Sequence, residues 1–277
     1  ITFEAPMVGA KIVFPGPKLD GASVYELLES EGVTMTAAVP TVWLMLLQYL
    51  EQNNLKLSTL KMVLIGGSAC PRSMIETFEK KYGVEVVHAW GMTEMSPLGT
   101  LGTMKHAIAH LPYEQKLDYK CKQGHAPFGV EMKITDDENN ELPRDGKAFG
   151  RLKVRGPAIA KGYMGGDGKD AFDHEGWFDT GDVATLCPQG YMTITDRAKD
   201  VIKSGGEWIS SIDIENFAVG HPAVAEAAVI GVAHPKWDER PLLIMQLKAG
   251  QTERSEAILP LIRGAIAKWW MPDDVGF

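Results

Sequence analysis

The 277 residues, 45% apolar and 23% charged, suffice for one large domain or a medium domain with a smaller one, and they argue against a disordered or fibrous chain. With 36 acidic and 28 basic residues the formal net charge is −8 and no Lys/Arg block stands out, which argues against nucleic acid or an anionic membrane as primary partner. Cys70, Cys121 and Cys187 are odd in number, widely spaced and form no C-x-x-C, so neither a disulfide framework nor a zinc site is expected, and a reducing cytoplasm is.

Residue 1 is Ile1, so the natural start is expected upstream of it. Apolar Val24, Leu27 and Leu28 recur at helical spacing over 22–31, and 34–39 is a short β-prone run. Pro40 and Thr41 open the next helix and Asn53-Asn54 close it. Its apolar run, 39–50, contains Pro40, Thr41 and Gln48 and falls short of the ~20 residues a bilayer requires, so no integral membrane segment is expected. Residues 60–65 read as a strand, 66–68 as a turn, 71–82 as an amphipathic helix and 84–89 as a second strand, which together make a βαβ unit. A right-handed crossover puts both strand ends, 66–68 and 90–94, on one sheet edge, where open α/β sheets bind ligands.

A polar, His-containing stretch at 105–123 follows, then a β-rich pattern with strands over 130–135 and 150–154 flanking the acidic turn 136–141. Another strand is expected at 191–195, and a domain boundary at the charged run after it. Beyond lie a glycine turn at 204–206, a helix near 211–219 and strands at 225–232 and 242–247. The expected fold is therefore α/β: residues 1–198 as the C-terminal part of a large domain, with a parallel sheet plus a small β subdomain, and 199–277 as part of a small α+β domain.

Six motifs stand in order: Gly66-Gly67-Ser68-Ala69-Cys70-Pro71; Gly91-Met92-Thr93-Glu94; Arg155-Gly156-Pro157 with Gly162-Tyr163; Gly176-Trp177-Phe178-Asp179-Thr180-Gly181-Asp182; Asp196-Arg197-Ala198-Lys199-Asp200; and Ser204-Gly205-Gly206-Glu207. Each alone is weak, but their order and spacing over essentially the whole chain resemble the adenylate-forming superfamily of acyl- and aryl-CoA synthetases, peptide-synthetase adenylation domains and firefly-type luciferases. The wording of the first motif, with His88-Ala89-Trp90-Gly91-Met92-Thr93-Glu94, looks closest to fatty-acyl and methylmercaptopropionyl-CoA ligases.

The resemblance implies ATP or AMP, Mg²⁺ and CoA as ligands and a small carboxylic acid as substrate, and it leaves room for a homodimer. It places Thr93 at the α-phosphate and Glu94 on Mg²⁺, roles that a small hydroxyl and a hard oxygen ligand suit. Gly67, Ser68, Ala69, Ala89, Trp90, Gly91 and Met92 would line the nucleotide slot, with Trp90 stacking the base. His88 would border the acyl pocket. Asp182 would accept the ribose hydroxyls and Arg197 would donate to the same sugar or its phosphate. Lys199 would be the hinge, and Lys203, Gly205, Gly206, Glu207 and Trp208 would receive CoA. Taken singly, most of these are ordinary turn, core or surface residues, and the ordered series is what assigns them.

The family's Ser/Thr-rich phosphate loop is expected upstream of Ile1 and its catalytic lysine downstream of the 269–275 stretch, so the polypeptide alone is expected to be inactive. Two other readings fit the same residues. One keeps the adenylate and changes the acceptor, as in an adenylation domain or a luciferase; the other is a non-catalytic nucleotide-binding scaffold.

Overall fold

A computed structural model describes residues 4–166, 168–205, 207–221, 223–248, 250, 259–260, 262–264 and 266–276. Packing divides the chain into two compact units, Ile1–Val130 and Glu131–Phe277. In the first, α1 (Glu4–Met7) precedes α2 (Gly21–Ser30), which begins where the Asp20 carboxylate accepts the Ser23 N–H at 3.0 Å and satisfies a donor that helix starts leave open. β1 (Met35–Ala38) leads into α3 (Pro40–Gln52), whose Pro40 occupies the first turn, where a missing N–H costs little. β2 (Met62–Ile65) and β3 (Glu85–Gly91) then join β1 in a parallel array, with Ala38 opposite Ile65 and Ile65 opposite His88.

The helix expected over 71–82 is divided: α4 (Arg72–Glu76) runs into a π-helical turn at Thr77–Lys81. β4 (Leu98–Leu101) returns antiparallel along β3, and after α5 (Tyr113–Lys120) the short β5 (Gly124–His125) pairs with β4. The core lies between α2–α4 and the parallel strands. Trp43, Leu46, Leu50, Val63, Ile65, Ile75 and Phe78 are buried there, each contributing roughly 1.5–3 kcal/mol. Trp43 meets Phe78 edge-on at 6.0 Å and donates its indole N–H to the Leu64 carbonyl at 3.3 Å, so its polar atom is satisfied inside the core.

The second unit opens with an antiparallel meander, β6 (Glu131–Thr135), β7 (Gly150–Arg155), β8 (Phe178–Leu186) and β9 (Tyr191–Arg197). The boundary expected at 198/199 falls inside this unit, between β9 and β10. β10 (Ile202–Ser204) and β11 (Glu207–Ile209) form a hairpin followed by α6 (Ser211–Val219). α6 starts where Ser210 Oγ accepts the Asp213 N–H at 3.1 Å. β12 (Val224–His234) and β13 (Asp238–Leu247) complete a second sheet in the order β11–β10–β13–β12, with β14 (Asp274–Gly276) parallel to β13. Leu243 and Met245 face its core while Ile244 between them is 41% exposed, the alternation of a half-buried strand. The mixed α/β architecture read from the sequence is the one observed.

Candidate active site

In the first unit the in-register pairing of β2 and β3 brings the Gly66–Ala69 loop and the end of β3 to one edge of the sheet. Gly67, Ser68 and Ala69 are exposed there, and Ala89 and Trp90 are half-buried. Gly91 is required by space: a Cβ would lie 1.9 Å from the Pro97 carbonyl oxygen, so the returning backbone presses directly on it. The turn Thr93–Met95 follows, pinned by buried Met95, so that Thr93 is exposed and Glu94 half-buried. The Trp90 ring packs on the backbone of β4, where a Cβ on Gly99 would lie 2.3 Å from Cζ3. A small hydroxyl, a carboxylate, an aromatic ring and open backbone thus share one strand end.

His88 is only 2% exposed and lies within the unit. Its Nε2 is 3.4 Å from the Ser68 carbonyl oxygen, and its Nδ1 is buried with no hydrogen-bond partner among the described residues. Burial holds its pKa below the ordinary value, while the carbonyls of Ser68, Cys121 and Lys122 pull the other way. A neutral ring donating from Nε2 is the arrangement this environment supports.

In the second unit β8 and β9 place Asp182 opposite Arg197, with Arg197 Nη1 2.9 Å from Asp182 Oδ1. The carboxylate side chain is 4% exposed and the guanidinium 57%, so the pair presents a cation outward over a buried acid. The Asp182 N–H donates to Thr180 Oγ1 at 3.1 Å, and Thr180 Oγ1 donates to the Leu152 carbonyl at 3.0 Å. Asp179 Oδ2 accepts from Arg151 Nε at 2.8 Å and its Oδ1 accepts the Gly181 N–H at 3.0 Å. These bonds fix the Asp-Thr-Gly-Asp segment on both sides of the strand.

Lys199 is exposed in the turn after β9, which closes as the N–H groups of Asp200 and Val201 both donate to the Arg197 carbonyl at 2.9 Å. Beyond it, Lys203 and Trp208 face each other across the β10–β11 hairpin. Lys203 Nζ sits 3.1 Å from Asp137 Oδ2 and 5.4 Å from the Trp208 ring centroid. Gly205 has φ +60°, and a Cβ on it would lie 2.8 Å from Trp237 Cε3. Gly206 lies outside the described residues, as does the Glu207 side chain.

The structure therefore groups Gly67, Ser68, Ala69, Ala89, Trp90, Gly91, Met92, Thr93 and Glu94 within the first unit and Asp182, Arg197, Lys199, Lys203, Gly205 and Trp208 within the second. Sequence reasoning missed Asp137, Thr180 and Asp179 as partners. Thr180 and Asp179 were visible inside a motif, whereas Asp137 stands 66 residues before Lys203 in an acidic turn with no local signal. Glu94 supplies one carboxylate, and Mg²⁺ binds through one or two carboxylates plus phosphate and water oxygens, so this donor fits an ion held jointly with a nucleotide. Among the described residues no group of three or more His, Cys, Asp or Glu gathers into a protein-only metal site. No helix among them is long and apolar enough to cross a membrane.

Residues 2–164 match the family model described as AMP-binding enzyme, and residues 213–277 match that of the AMP-binding enzyme C-terminal domain. The chain is 51% identical to a 3-methylmercaptopropionyl-CoA ligase of Ruegeria lacuscaerulensis, over 99% of this chain and 51% of that protein. It is 48% identical to a medium-chain-fatty-acid–CoA ligase of Ectopseudomonas oleovorans, over 98% of this chain and 50% of that one. Among solved structures it resembles o-succinylbenzoate CoA synthetase from Bacillus subtilis in complex with its acyl-adenylate intermediate, with a TM-score of 0.83, 26% identity, and 99% of this chain against 53% of that one. The chain spans about half the length of the curated relatives it matches.

Proposed function

This chain belongs to the AMP-binding enzyme family, and from that membership we propose that it carries the nucleotide and CoA sites of an ATP-dependent acyl-CoA ligase. The acid is a medium or longer aliphatic one, or a thioether propionate, in keeping with the acids named for the two relatives above. The reaction has two displacements. A carboxylate oxygen attacks the α-phosphorus and pyrophosphate leaves; the CoA thiol then gives up its proton, its sulfur attacks the acyl carbon, and AMP leaves.

The first step brings two anions together and needs donors and positive charge at the α-phosphate. Thr93 offers its hydroxyl there, and Glu94 would hold Mg²⁺, which would supply Lewis-acid charge when bound. Trp90 and the backbone of 67–69 enclose the adenine. Asp182 accepts from the ribose hydroxyls, and Arg197, already paired with it, donates to the sugar or phosphate. The Gly205 turn, with Lys203 and Trp208, receives CoA after rotation about Lys199, and the functional division of the chain is at 198/199.

The observation that best supports this reading is the pairing of Ile65 with His88, which sets the open Gly67–Ala69 backbone beside Trp90–Glu94 at a sheet edge. The free thiols of Cys70, Cys121 and Cys187 fit a reducing cytoplasm. The test uses a chain of the relatives' full length carrying these residues, incubated with ATP and acid, with and without CoA. Acid-dependent pyrophosphate release and acyl-CoA formation are expected. An adenylate that never yields thioester would indicate another acceptor. AMP binding without any pyrophosphate release would indicate a scaffold.

A further inference from the structure

Arg240, near the start of β13, has a side chain only 15% exposed and all five of its guanidinium donors engaged. Nε donates to both oxygens of Asp273 at 3.1 and 3.0 Å, and Nη2 donates to Asp273 Oδ1 at 2.8 Å and the Met271 carbonyl at 3.0 Å. Nη1 donates to the Trp269 carbonyl at 2.7 Å and to Ser204 Oγ at 3.3 Å. One planar cation therefore fastens a segment 29 to 33 residues downstream to the last residue before the glycine turn.

The same turn is held at two neighbouring points, one in β13 and one in the β12–β13 connection: the Lys203 N–H donates to Glu239 Oε2 at 2.9 Å and the Gly205 N–H to the Trp237 carbonyl at 2.9 Å. The Arg240 bond continues into a second segment. A lysine could not reproduce this, because a point charge with three donors cannot span carboxylate, hydroxyl and two carbonyls in one plane. Uncompensated loss would leave the Asp273 carboxylate and two carbonyls short of partners.

We propose that Arg240 is a positioning residue that sets the Ser204–Gly205 turn against the 269–273 segment and so shapes the surface that receives the thiol cosubstrate; the last clause rests on reading that turn as the CoA-binding one. Amide hydrogen exchange on the 277-residue chain tests the tie without any turnover. Asp273→Asn should speed exchange of the Lys203 and Gly205 amides about tenfold, with β12 unchanged; unchanged exchange at Lys203 and Gly205 overturns the proposal.

In a chain of the relatives' full length, Arg240→Met should raise the KM for CoA about tenfold while acid-dependent pyrophosphate release before CoA addition stays within about twofold, with Arg240→Lys recovering part. Ser204→Ala spares the other bonds of the guanidinium and should raise the same KM by about threefold. Equal loss in both steps, or a lower Tm with KM for CoA unmoved, overturns the positioning role. A wild-type protein that makes no acyl-CoA defeats the ligase reading itself, and the exchange result tells that failure apart from failure of the tie.

Discussion

At the scale of single residues the chemistry rests on side chains whose surroundings leave few alternatives. Asp182 is sealed among β-strand backbone and Arg197, so a ribose hydroxyl reaching it would meet an oriented, charge-assisted acceptor. Asp182→Ala is expected to weaken AMP binding by about 10- to 100-fold in a full-length chain, since hydrogen bonds to charged groups contribute roughly 1.5–3 kcal/mol; calorimetric titration measures it. His88 behaves differently. Its folded pKa lies below the ordinary 6.5, so below that pH the unfolded chain binds more protons and stability falls as pH drops toward the folded pKa. His88→Gln keeps a donor near Ser68 and removes this titration. The drop in Tm between about pH 7.5 and about pH 5.5 should therefore be smaller in the variant. Thr93, Glu94 and Asp182 were legible as candidates because each sits in a motif with its chemistry on its own side chain. The surroundings of His88 were not, because its burial and a 3.4 Å approach to the Ser68 carbonyl are set by the neighbouring strand.

At the scale of elements, the βαβ unit was readable because β2 and β3 are short apolar runs bounded by glycines and the intervening helix has a clear apolar face. Among the elements that escaped, two did so for definite reasons. α5 is polar almost all round, with Leu117 buried, and it is held by Arg72 to Asp118 and Glu114 and by the nearly buried Lys120–Glu79 pair, contacts that periodicity does not encode. β8 passes through Asp-Thr-Gly-Asp, in which Asp and Gly are poor strand formers, and is extended because β7 and β9 pair on both of its edges. The turn after β3 has its own consequence. Gly91→Ala would drive a methyl into the Pro97 carbonyl, so the backbone must shift under Trp90 and Thr93. Thermal unfolding should show a loss of at least about 2 kcal/mol. Unchanged Tm would mean that the turn is looser than this packing implies.

At the scale of the whole molecule, two compact units each carry part of the proposed machinery: backbone, ring and hydroxyl in the first, and the ribose acid, hinge and CoA turn in the second. The 277 residues cover about half the length of the relatives, and the Ser/Thr-rich phosphate loop expected for this chemistry has no match in the sequence. The most direct test is a crystal structure of a chain of the relatives' full length grown with AMP. The expected result has the adenine between Trp90 and the 67–69 backbone and the ribose on Asp182. Nucleotide bound with its ribose away from Asp182 or its adenine away from Trp90 would contradict the roles proposed for these residues.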